Sequence, residues 1–490
     1  MTNILYNINT FRSFVLITGL FCAAICSYAQ NKTRKNTTQN SVAAPLVVPD
    51  TSKANLLLPV TVKNTGQNSS GEYLTLQQCI DYAMLHQPGL NISLININVA
   101  KTTNAISLAG ALPQVDASGS LIHYIQQSSH NSVIVGPGGT SSVGGGGKGS
   151  DNTFFPGISV SQTIFNPSLL YAYKSAPLYV KQAQQATDST KIFLVSAVSK
   201  SFYTLLLTLE QINVLKEDTA EFAKSLRDAY HQYKGGIVDE TDYEQAQITL
   251  NNTMAQLKQA NENVIPQYAA LKKLMGSPPE EQFNVVFDTL EMMKSIHIDT
   301  TEQLQYEKRI EYQEIKTSKD LQYQLVDYYR YSFLPSVSAF YNYNLAFESN
   351  NFSNLFGASY PSQIVGLSLT IPVFTGFSRL NNLHKAKLQQ QILNWAETDL
   401  KSQIYSEYTT ALANYKGNFY NLQVLQKNVE LSKRVYFVVT LQYRQGIVPY
   451  LNVITAGSNL ITSEINYLNA LFQVLSNKID LEKAMGNISY

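Results

Sequence analysis

Cysteine is almost absent from this chain. Its 490 residues include three cysteines, and two of these, Cys22 and Cys26, lie in an N-terminal apolar segment that we expect to be removed. The mature chain then keeps only Cys79, so it cannot form an intrachain disulfide and must be held together by packing alone. A lone cysteine without a catalytic partner in the sequence is best interpreted as a buried apolar side chain.

The chain also lacks an excess of charge of either sign. Its 36 Lys and Arg residues balance 35 Asp and Glu residues, which leaves a formal net charge of +1. A protein that binds nucleic acid through its phosphates carries a basic surface, and no such excess is present here. We therefore expect no nucleic-acid partner.

Catalytic and metal-binding patterns are missing as well. The six histidines are scattered, and no two of them stand at the helical spacing of metal ligands. The glycine-rich tract at 136–150 lacks the Gly-Lys-Ser/Thr ending of a phosphate-binding loop. No Gly-x-Ser-x-Gly nucleophile motif occurs. We therefore expect no enzyme activity, no cofactor and no resident metal, and a cell-envelope enzyme is disfavoured.

The N-terminus has the pattern of a secretory signal peptide. Arg12 precedes an apolar run at 14–26, and the small residues Ser27 and Ala29 suit cleavage after Ala29. The run is shorter than the ~20 residues that a membrane-spanning helix needs. We predict that residues 1–29 are a signal peptide, so the mature protein is exported.

A polar stretch follows the signal peptide. Residues 30–72 are rich in Asn, Thr, Ser and Lys without a sustained period, so we predict a polar N-terminal linker. Further along the chain we expect no second apolar run of membrane-spanning length, which excludes a helical inner-membrane protein.

The rest of the chain contains an internal repeat. Residues 233–276 align without a gap on residues 443–486, and both segments begin with Tyr, a basic residue, any residue, and Gly-Ile-Val. About a dozen of the 44 aligned pairs are identical, including the final Met-Gly of each segment. A gapless register of this length indicates a duplication. We therefore divide the chain into a first repeat, 73–280, and a second repeat, 281–490.

Each repeat contains two stretches in which apolar and polar residues alternate. They lie at about 113–126 and 155–166 in the first repeat and at about 335–347 and 363–374 in the second. A period of two predicts half-buried strands. Their length of roughly 10–12 residues matches a tilted bilayer-spanning strand. A sheet in a soluble sandwich would show the same alternation, so both interpretations remain open at this point.

Each repeat also contains two long helical segments. The outgoing helices are predicted at about 168–233 and 377–443, because apolar residues recur every three to four positions in a coiled-coil seam. Sixty-odd helical residues span roughly 100 Å at 1.5 Å per residue. The returning helices are predicted at about 239–276 and 449–486, and a further helix is expected at about 300–333.

Gly236 and Gly446 fall between the outgoing and the returning helices. Since glycine readily adopts the left-handed conformation that ends a helix, we expect each to form the tip of an antiparallel helical hairpin. Pro266 lies inside the first returning helix, whereas Ser476 occupies the equivalent position in the second repeat. We expect a kink or a break at Pro266, in the first repeat only.

The order and the duplication of these segments resemble the TolC-like outer-membrane efflux proteins. The resemblance covers about 73–488, which is essentially the whole mature chain after the linker. No single motif is specific to the family, whereas the order of the motifs and their duplication are. The matching residues are Leu74-Thr75-Leu76 with Ala83, the Leu-Pro-x-Val segments at 112–115 and 334–337, Ile371-Pro372-Val373-Phe374, Gly446, Ala456 and Met485-Gly486.

The resemblance implies a mixed fold of α-helices and membrane β-strands. Four strands per chain would build a trimeric twelve-stranded β-barrel in outer-membrane lipid, continued by a long α-helical coiled-coil cylinder in the periplasm. Such a protein is the passive exit duct of a tripartite efflux or type I secretion system. It works with a periplasmic adaptor and an inner-membrane pump of the resistance-nodulation-division or ABC type. The alternative function is an exported coiled-coil scaffold or adhesin without a pore.

The resemblance also places a gate and an adaptor-docking surface at the hairpin tips. Some relatives carry an acidic ring just after the second tip, but the matching positions here are Asn452 and Thr455. Asp242 and Gln245 are their equivalents in the first repeat, so an acidic collar from the first hairpin is one interpretation. Solvated acidic residues favoured by the helix dipole are the other. The candidate tip residues are Gly236, Asp239, Glu240, Asp242, Gln245, Gly446, Pro449, Asn452 and Thr455.

Overall fold

The structure is a computed structural model, and the residues that it describes are 72–126, 150–285, 303–489, Ile296 and the backbone of 133–135 and 141–143. The signal peptide predicted at 1–29 lies outside the described residues. So does the linker predicted at 30–72, apart from its last residue. Both stay predictions.

The chain runs twice through the same series of large elements. The first series is β1 (Glu72–Leu74), α1 (Leu76–His86), α2 (Pro88–Ala109), β2 (Gln114–His123), β3 (Val133–Val135), β4 (Ser141–Val143), β5 (Asn152–Phe165), α3 (Pro167–Lys234) and α4 (Glu240–Met275). The second is β6 (Phe283–Val285), α5 (Ile310–Tyr331), β7 (Ser336–Ser349), β8 (Ser359–Thr370), α6 (Ser378–Arg444) and α7 (Tyr450–Met485). The helix pair α3–α4 is hairpin 1, and the pair α6–α7 is hairpin 2.

Local sequence explains where the first long helix begins. The Asn166 side chain accepts a hydrogen bond from the Ser168 N–H at 2.9 Å, which satisfies one of the free donors at the start of α3. Pro167 occupies the first turn, where its missing N–H costs nothing. Because Phe165 ends β5, one residue separates the sheet from a helix of 68 residues.

The four long strands form one antiparallel sheet in the order β2-β5-β7-β8. Strands β5 and β7 are central and join the two repeats, while β2 and β8 are the edges. The register pairs Asp116 with Ser159, Ser159 with Asn342, and Asn342 with Ile364, so these four side chains share one face. The short strands make separate pairs, β1 with β6 and β3 with β4.

The two faces of this sheet differ in chemistry. One face, the apolar face, carries mainly large apolar and aromatic side chains, among them Val115, Leu121, Ile158, Val160, Tyr341, Tyr343, Leu345, Val365, Leu367 and Leu369. The other, the polar face, carries mainly small uncharged polar residues, among them Gln114, Ser118, Ser159, Ser161, Ser338, Asn342, Asn344, Ser362 and Ser368. The apolar face is open to the surroundings, since Val365 and Leu367 are 75% and 73% exposed. Such a face in water would be an aggregation hazard, so it needs an apolar medium.

The helices pack side by side in the same order as the strands. Next to the sheet, the order is α2, α3, α5 and α6, and toward the hairpin tips it is α4, α3, α7 and α6. Helices α3 and α7 contain 18 and 14 buried residues, whereas α4 and α6 contain six each. The centre of the layer is therefore the pair α3–α7, and the flanks are α4 and α6.

The largest apolar core surrounds the middle of α3. It joins α3 to α1 and to the end of α4, with Val198, Leu205 and Leu271 all inaccessible to solvent. Cys79 is part of this core, as its pattern predicted. A second core joins α6 to α7, and its members Val474 and Leu481 are inaccessible to solvent.

The expectation that the chain has no second apolar run of membrane-spanning length is wrong, because α3 contains one. Among the described residues, α3 contains a stretch of 18 residues that is long and apolar enough to cross a membrane. Half of that stretch is buried inside the protein. The apolar residues of α3, such as Phe202 and Leu206, belong to the core that α1 and α4 cover, which accounts for the run.

Two predicted boundaries are wrong. The last strand, expected at 363–374, spans Ser359–Thr370, because Pro372 lacks the N–H that a ladder needs and β7 offers partners from Phe347 onward. The helix expected at 300–333 spans Ile310–Tyr331. Its start is set by tertiary contacts, since the Arg309 guanidinium donates to the Ala484 carbonyl at 3.0 Å.

Helix α4 does not break at Pro266, so that part of the expectation is wrong, whereas a kink there stays a prediction. Helix α4 continues through Pro266 from Glu240 to Met275, and α3 continues through Pro177. A proline inside a helix removes one hydrogen bond, and the packing of a long helix against its neighbours outweighs that loss.

Candidate functional site

The two hairpins end in turns of the same geometry. Gly236 has φ 69° at the tip of hairpin 1, and Gly446 has φ 71° at the tip of hairpin 2. The Ile237 N–H donates to the Gln232 carbonyl at 2.9 Å, and the equivalent bond from Ile447 has the same length. These bonds satisfy carbonyls that a helix end leaves free, and they require the left-handed residue that the sequence predicts at each glycine.

Each turn presents one large apolar side chain to solvent. Ile237 and Ile447 are each 69% exposed. A Cβ built on Gly236 or Gly446 would have no atom within 4 Å. A single exposed isoleucine would need no explanation, but the duplication places one at the same point of both tips.

Behind the turns, the two hairpins share a small apolar cluster. We name it the tip cluster, and its buried members are Ala229, Ala246, Tyr443, Tyr450 and Val453. These residues come from all four helices of the two hairpins. The rings of Tyr443 and Tyr450 lie 5.1 Å apart, edge to face. The tips are therefore packed against each other within one chain.

Two polar contacts cross from one hairpin to the other at this level. The hydroxyls of Ser225 and Tyr450 share a buried hydrogen bond of 3.0 Å between α3 and α7. The Arg444 Nε lies 3.3 Å from Asp228 Oδ2, which links α6 to α3. The ion pair is partly exposed and contributes little, whereas leaving a buried hydroxyl without a partner is costly. The hydrogen bond is thus the stronger link.

The acidic residues of the first tip do not share one environment. Asp239 and Glu240 are exposed, whereas Asp242 and Gln245 are half-buried. Burial raises the pKa of the Tyr443 hydroxyl and the charge of Asp242 raises it further, which places Asp242 beside hairpin 2. An acidic collar stays a prediction, and Asp239 and Glu240 would give it exposed carboxylates.

The candidate residues of the second tip are exposed and uncharged. Pro449 precedes α7, and Asn452 and Thr455 lie three residues apart on one face of that helix. The Thr455 hydroxyl donates to the Leu451 carbonyl of the same helix at 2.9 Å. This face therefore offers no acidic ring.

Sequence reasoning missed the residues that hold the tips together. Ser225, Asp228 and Arg444 were not among the candidates, and Tyr450 was not expected to be buried. Ser225 and Tyr450 lie 225 positions apart, so no local pattern connects them. Tyr443 is the first residue of the repeated segment, and this repetition is the one sequence feature that pointed to the tips.

A layer of charge lies farther from the tips, where α3, α6 and α7 meet. The Lys433 Nζ of α6 lies 2.9 Å from Glu464 Oε1 of α7. Asp218 of α3 lies close enough for both of them to affect its ionisation. Burial, Glu464 and Glu217 raise the pKa of Asp218 to about 7, against a lowering effect of Lys433. Its carboxylate is therefore partly protonated at neutral pH.

The described part of the chain brings together neither a metal-binding group nor a reactive thiol. No group of three or more His, Cys, Asp or Glu residues there could hold a metal ion. Burial raises the pKa of the Cys79 thiol to about 12, so this thiol stays protonated and unreactive.

A four-stranded sheet with an apolar outer face, set on two long helical hairpins with paired tips, defines an outer-membrane channel protomer. The family model described as "Outer membrane efflux protein" matches residues 80–277 and 316–487, one segment in each repeat. The chain belongs to the outer membrane efflux protein family.

Known relatives agree with this assignment. The chain is similar to outer membrane protein TolC of Vibrio cholerae, with 21% identity over 340 residues that make up 68% of this chain and 76% of that protein. It is also similar to the cation efflux system protein CusC of Escherichia coli K12, with 22% identity over 323 residues, 62% of this chain and 66% of that protein. A crystal structure of CusC covers 86% of this chain and 95% of that chain, with a TM-score of 0.70 and 18% identity, and shows the shared fold.

The protein is therefore an exit duct for efflux in the outer membrane and not an enzyme. Its sheet is the membrane part, and its hairpins form the helical domain on the periplasmic side. The soluble-sandwich interpretation of the strands is wrong, because family membership places the apolar face of the sheet in lipid.

Proposed function

We propose that three copies of this chain close a twelve-stranded barrel around one lumen. The observation that carries the proposal is the pair of sheet edges, β2 and β8, which have no further strand beside them among the described residues, on a sheet whose apolar face is open. In lipid, an open sheet edge leaves backbone N–H and C=O groups without partners, so only closed barrels span a bilayer. Three sheets of four strands give an even number of strands in the range that such barrels use.

The helices support the same closure. Helices α2 and α6 flank the layer near the sheet, and each carries exposed apolar residues at helical spacing. On α2 these residues are Ile92, Ile95, Val99 and Ile106, and on α6 they are Leu388, Ile392 and Trp395. In a closed ring, α2 of one copy meets α6 of the next, and both apolar stripes are removed from water.

The tips would then form the gate and the docking surface. Six tips per trimer would surround the inner end of the lumen, each presenting Ile237 or Ile447. A periplasmic adaptor would engage these turns and connect the duct to an inner-membrane pump of the resistance-nodulation-division or ABC type. Transport energy would come from the pump, and the duct itself is passive.

A combined measurement of mass and conductance tests the channel. The protein extracted from outer membranes in detergent is expected to have the mass of three mature chains and to conduct ions in a planar bilayer. A non-porous scaffold, the alternative function, would give a folded oligomer without conductance. Recovery of a soluble monomer would contradict both the closure and the pore.

Cross-linking tests the docking surface. A photo-reactive residue in place of Ile237 or Ile447 is expected to cross-link a periplasmic protein in intact cells, with one class of adduct from both positions. The same residue in place of Leu85, which is exposed on α1 away from the tips, serves as the control. Equal labelling from Leu85 and the tips would contradict docking at the turns.

A further inference from the structure

The two repeats of this chain have the same strand register. A shift of 222 positions carries β2 and α2 onto β7 and α5, and a shift of 209 positions carries β5 onto β8. The pair Gln114–Ser161 of the first repeat then falls on Ser336–Thr370, which is a pair of the second repeat. The strand pairs β2–β5 and β7–β8 are therefore equivalent residue by residue.

Inside the chain, the repeats are joined by β5 and β7, and this link pairs Ser161 with Phe340 and Ile158 with Tyr343. The sheet ends in the same two kinds of strand, because β8 is equivalent to β5 and β2 is equivalent to β7. In a ring of copies, β8 of one copy and β2 of the next would lie side by side and antiparallel, as β5 and β7 do.

The two shifts predict which residues of these edge strands would meet. They place Thr370 of one copy opposite Ser118 of the next, and Leu367 opposite Leu121 of the next. Thr370 and Ser118 lie on the polar face of the sheet, whereas Leu367 and Leu121 lie on the apolar face. A register that differed by one residue would place leucine opposite serine and break both faces. The alternation of side chains therefore agrees with the register that the internal repeat predicts.

On the flanking helices, exposed positions are equivalent to positions that are buried inside the chain. Thr317 of α5 is fully buried, whereas its equivalent on α2, Ile95, is 60% exposed. Gln185 of α3 is 5% exposed, whereas Trp395, which lies 210 positions later on α6, is 76% exposed. Helices α3 and α5 pack together inside the chain. The same packing between α6 of one copy and α2 of the next would cover both exposed side chains.

The two equivalent contacts differ in chemistry. The buried positions inside the chain, Gln185 and Thr317, are polar, whereas their exposed equivalents, Trp395 and Ile95, are large and apolar. Two repeats of one chain meet at a high effective concentration, so their contact needs little affinity. Separate copies lose translational and rotational freedom when they associate, and burial of apolar surface offsets this cost. The apolar residues therefore lie where association needs the larger stabilisation.

We propose that the interface between copies reproduces the contact between the two repeats, with Thr370 opposite Ser118 of the next copy and Trp395 packed against the stripe of α2 that contains Ile95. This inference rests on the proposed trimer and goes beyond it, because it states which residues meet. The partner of β8 and of the exposed face of α6 is thus a second copy of this chain, and not lipid or another protein.

Disulfide cross-linking tests the register. Thr370→Cys combined with Ser118→Cys should give covalent dimers and trimers on a denaturing gel after oxidation of outer membranes, since paired strand residues have Cβ atoms about 5 Å apart. Ser368→Cys combined with Ser118→Cys is the matched control, two residues out of register, and should give much less product. The native Cys79 is buried and does not compete. Cross-linking of the control pair in place of the first pair would overturn the register.

Tryptophan fluorescence tests the helix contact, because Trp395 is the one tryptophan of the chain. Its emission in the trimer should lie at shorter wavelength than in the Ile392→Asp variant, which we expect to stay monomeric, and its quenching by acrylamide should fall several-fold. A control moves the tryptophan to the exposed position 85 of α1, with Trp395→Phe and Leu85→Trp, and should be quenched equally in both states. A trimer in which Trp395 is quenched as readily as the control would overturn the contact.

The mass of the protein separates this inference from the proposed trimer. A protein with the mass of three mature chains that fails both tests would keep the trimer and overturn the interface. A protein with the mass of one chain would contradict the proposed trimer itself, and the inference would fall with it.

Discussion

The two hairpins are repeats of one sequence pattern, yet hairpin 1 buries its outgoing helix and hairpin 2 buries its returning helix. In hairpin 1 the outgoing helix, α3, is the buried one and the returning helix, α4, is exposed. In hairpin 2 the outgoing helix, α6, is exposed and the returning helix, α7, is buried. Helices α3 and α7 therefore lie against each other at the centre, and α4 and α6 lie at the two flanks. The sheet has the same arrangement, with β5 and β7 at the centre and β2 and β8 at the edges.

This difference shows why a single chain is incomplete. Within the described residues, each edge strand and each flanking helix has a neighbour on one side only. A ring of identical copies supplies the partner, because the exposed flank of one copy meets the opposite flank of the next. The buried centre stabilises the protomer, and the exposed flanks determine how copies assemble.

The largest expected effect comes from a charge placed on the flank. Ile392→Asp on α6 should abolish the trimer while the protomer still folds, because a carboxylate would be buried without a partner only in the assembled ring. Size-exclusion chromatography with light scattering in detergent measures the change. Gln391→Asp adds the same charge one position away on the same helix and should leave the trimer intact. A trimer that forms equally with Ile392→Asp would contradict the role of this flank.

A cavity at the centre should have the next largest effect. Leu205 of α3 is fully buried, so Leu205→Ala should lower the free energy of unfolding by about 2–5 kcal/mol. Guanidinium unfolding followed by circular dichroism checks this value. Leu85→Ala on α1, where the side chain is 71% exposed, should change it by less than about 0.5 kcal/mol. Equal losses at the two sites would mean that α3 is not the centre.

Replacing glycine by alanine should lower the stability at the tips and raise it inside α6. Gly236→Ala or Gly446→Ala should each cost about 1–2 kcal/mol, because alanine is strained at positive φ. Gly417→Ala lies inside α6 in open space and should instead stabilise the protein by about 0.5–1 kcal/mol. The same unfolding experiment reports all three. A stabilising effect at either tip would contradict the left-handed turn.

The smallest expected effect is a pH dependence at the junction of α3 with hairpin 2. The pKa of Asp218 is raised from 3.8 to about 7 in the folded protein. The stability from its protonated form is therefore complete below about pH 4 and is lost as the pH rises through about 7. Stability should fall between about pH 4 and pH 7, and Asp218→Asn should remove this part of the dependence. An unchanged profile in the variant would assign the dependence to other groups.

Much of the fold could be predicted because its signals are local. Alternation over ten residues, apolar seams over sixty residues, and glycines between two helical runs all lie within short windows. The resemblance to the efflux family then predicted how these elements are arranged in space. The boundary at Ile310 escaped prediction because Arg309 binds the far end of α7, which no local window contains.

The division into centre and flanks could not be predicted. Both outgoing helices carry a similar seam of apolar residues. Which of the two is buried depends on contacts between repeats that lie some 200 residues apart in the chain. Tyr450 illustrates the limit, since it follows a proline in an exposed turn and yet is 1% exposed through its contact with Ser225. Propensity and period describe one element at a time, whereas packing between hairpins decides burial.

The mass of the folded protein extracted from outer membranes, measured by native mass spectrometry in detergent, tests the central claim most directly. A chain with two open sheet edges and two unpartnered flanks is predicted to appear as a trimer that conducts ions and resists dissociation until it unfolds. A folded, stable monomer of the mature chain, with its apolar sheet face still open, would contradict the account.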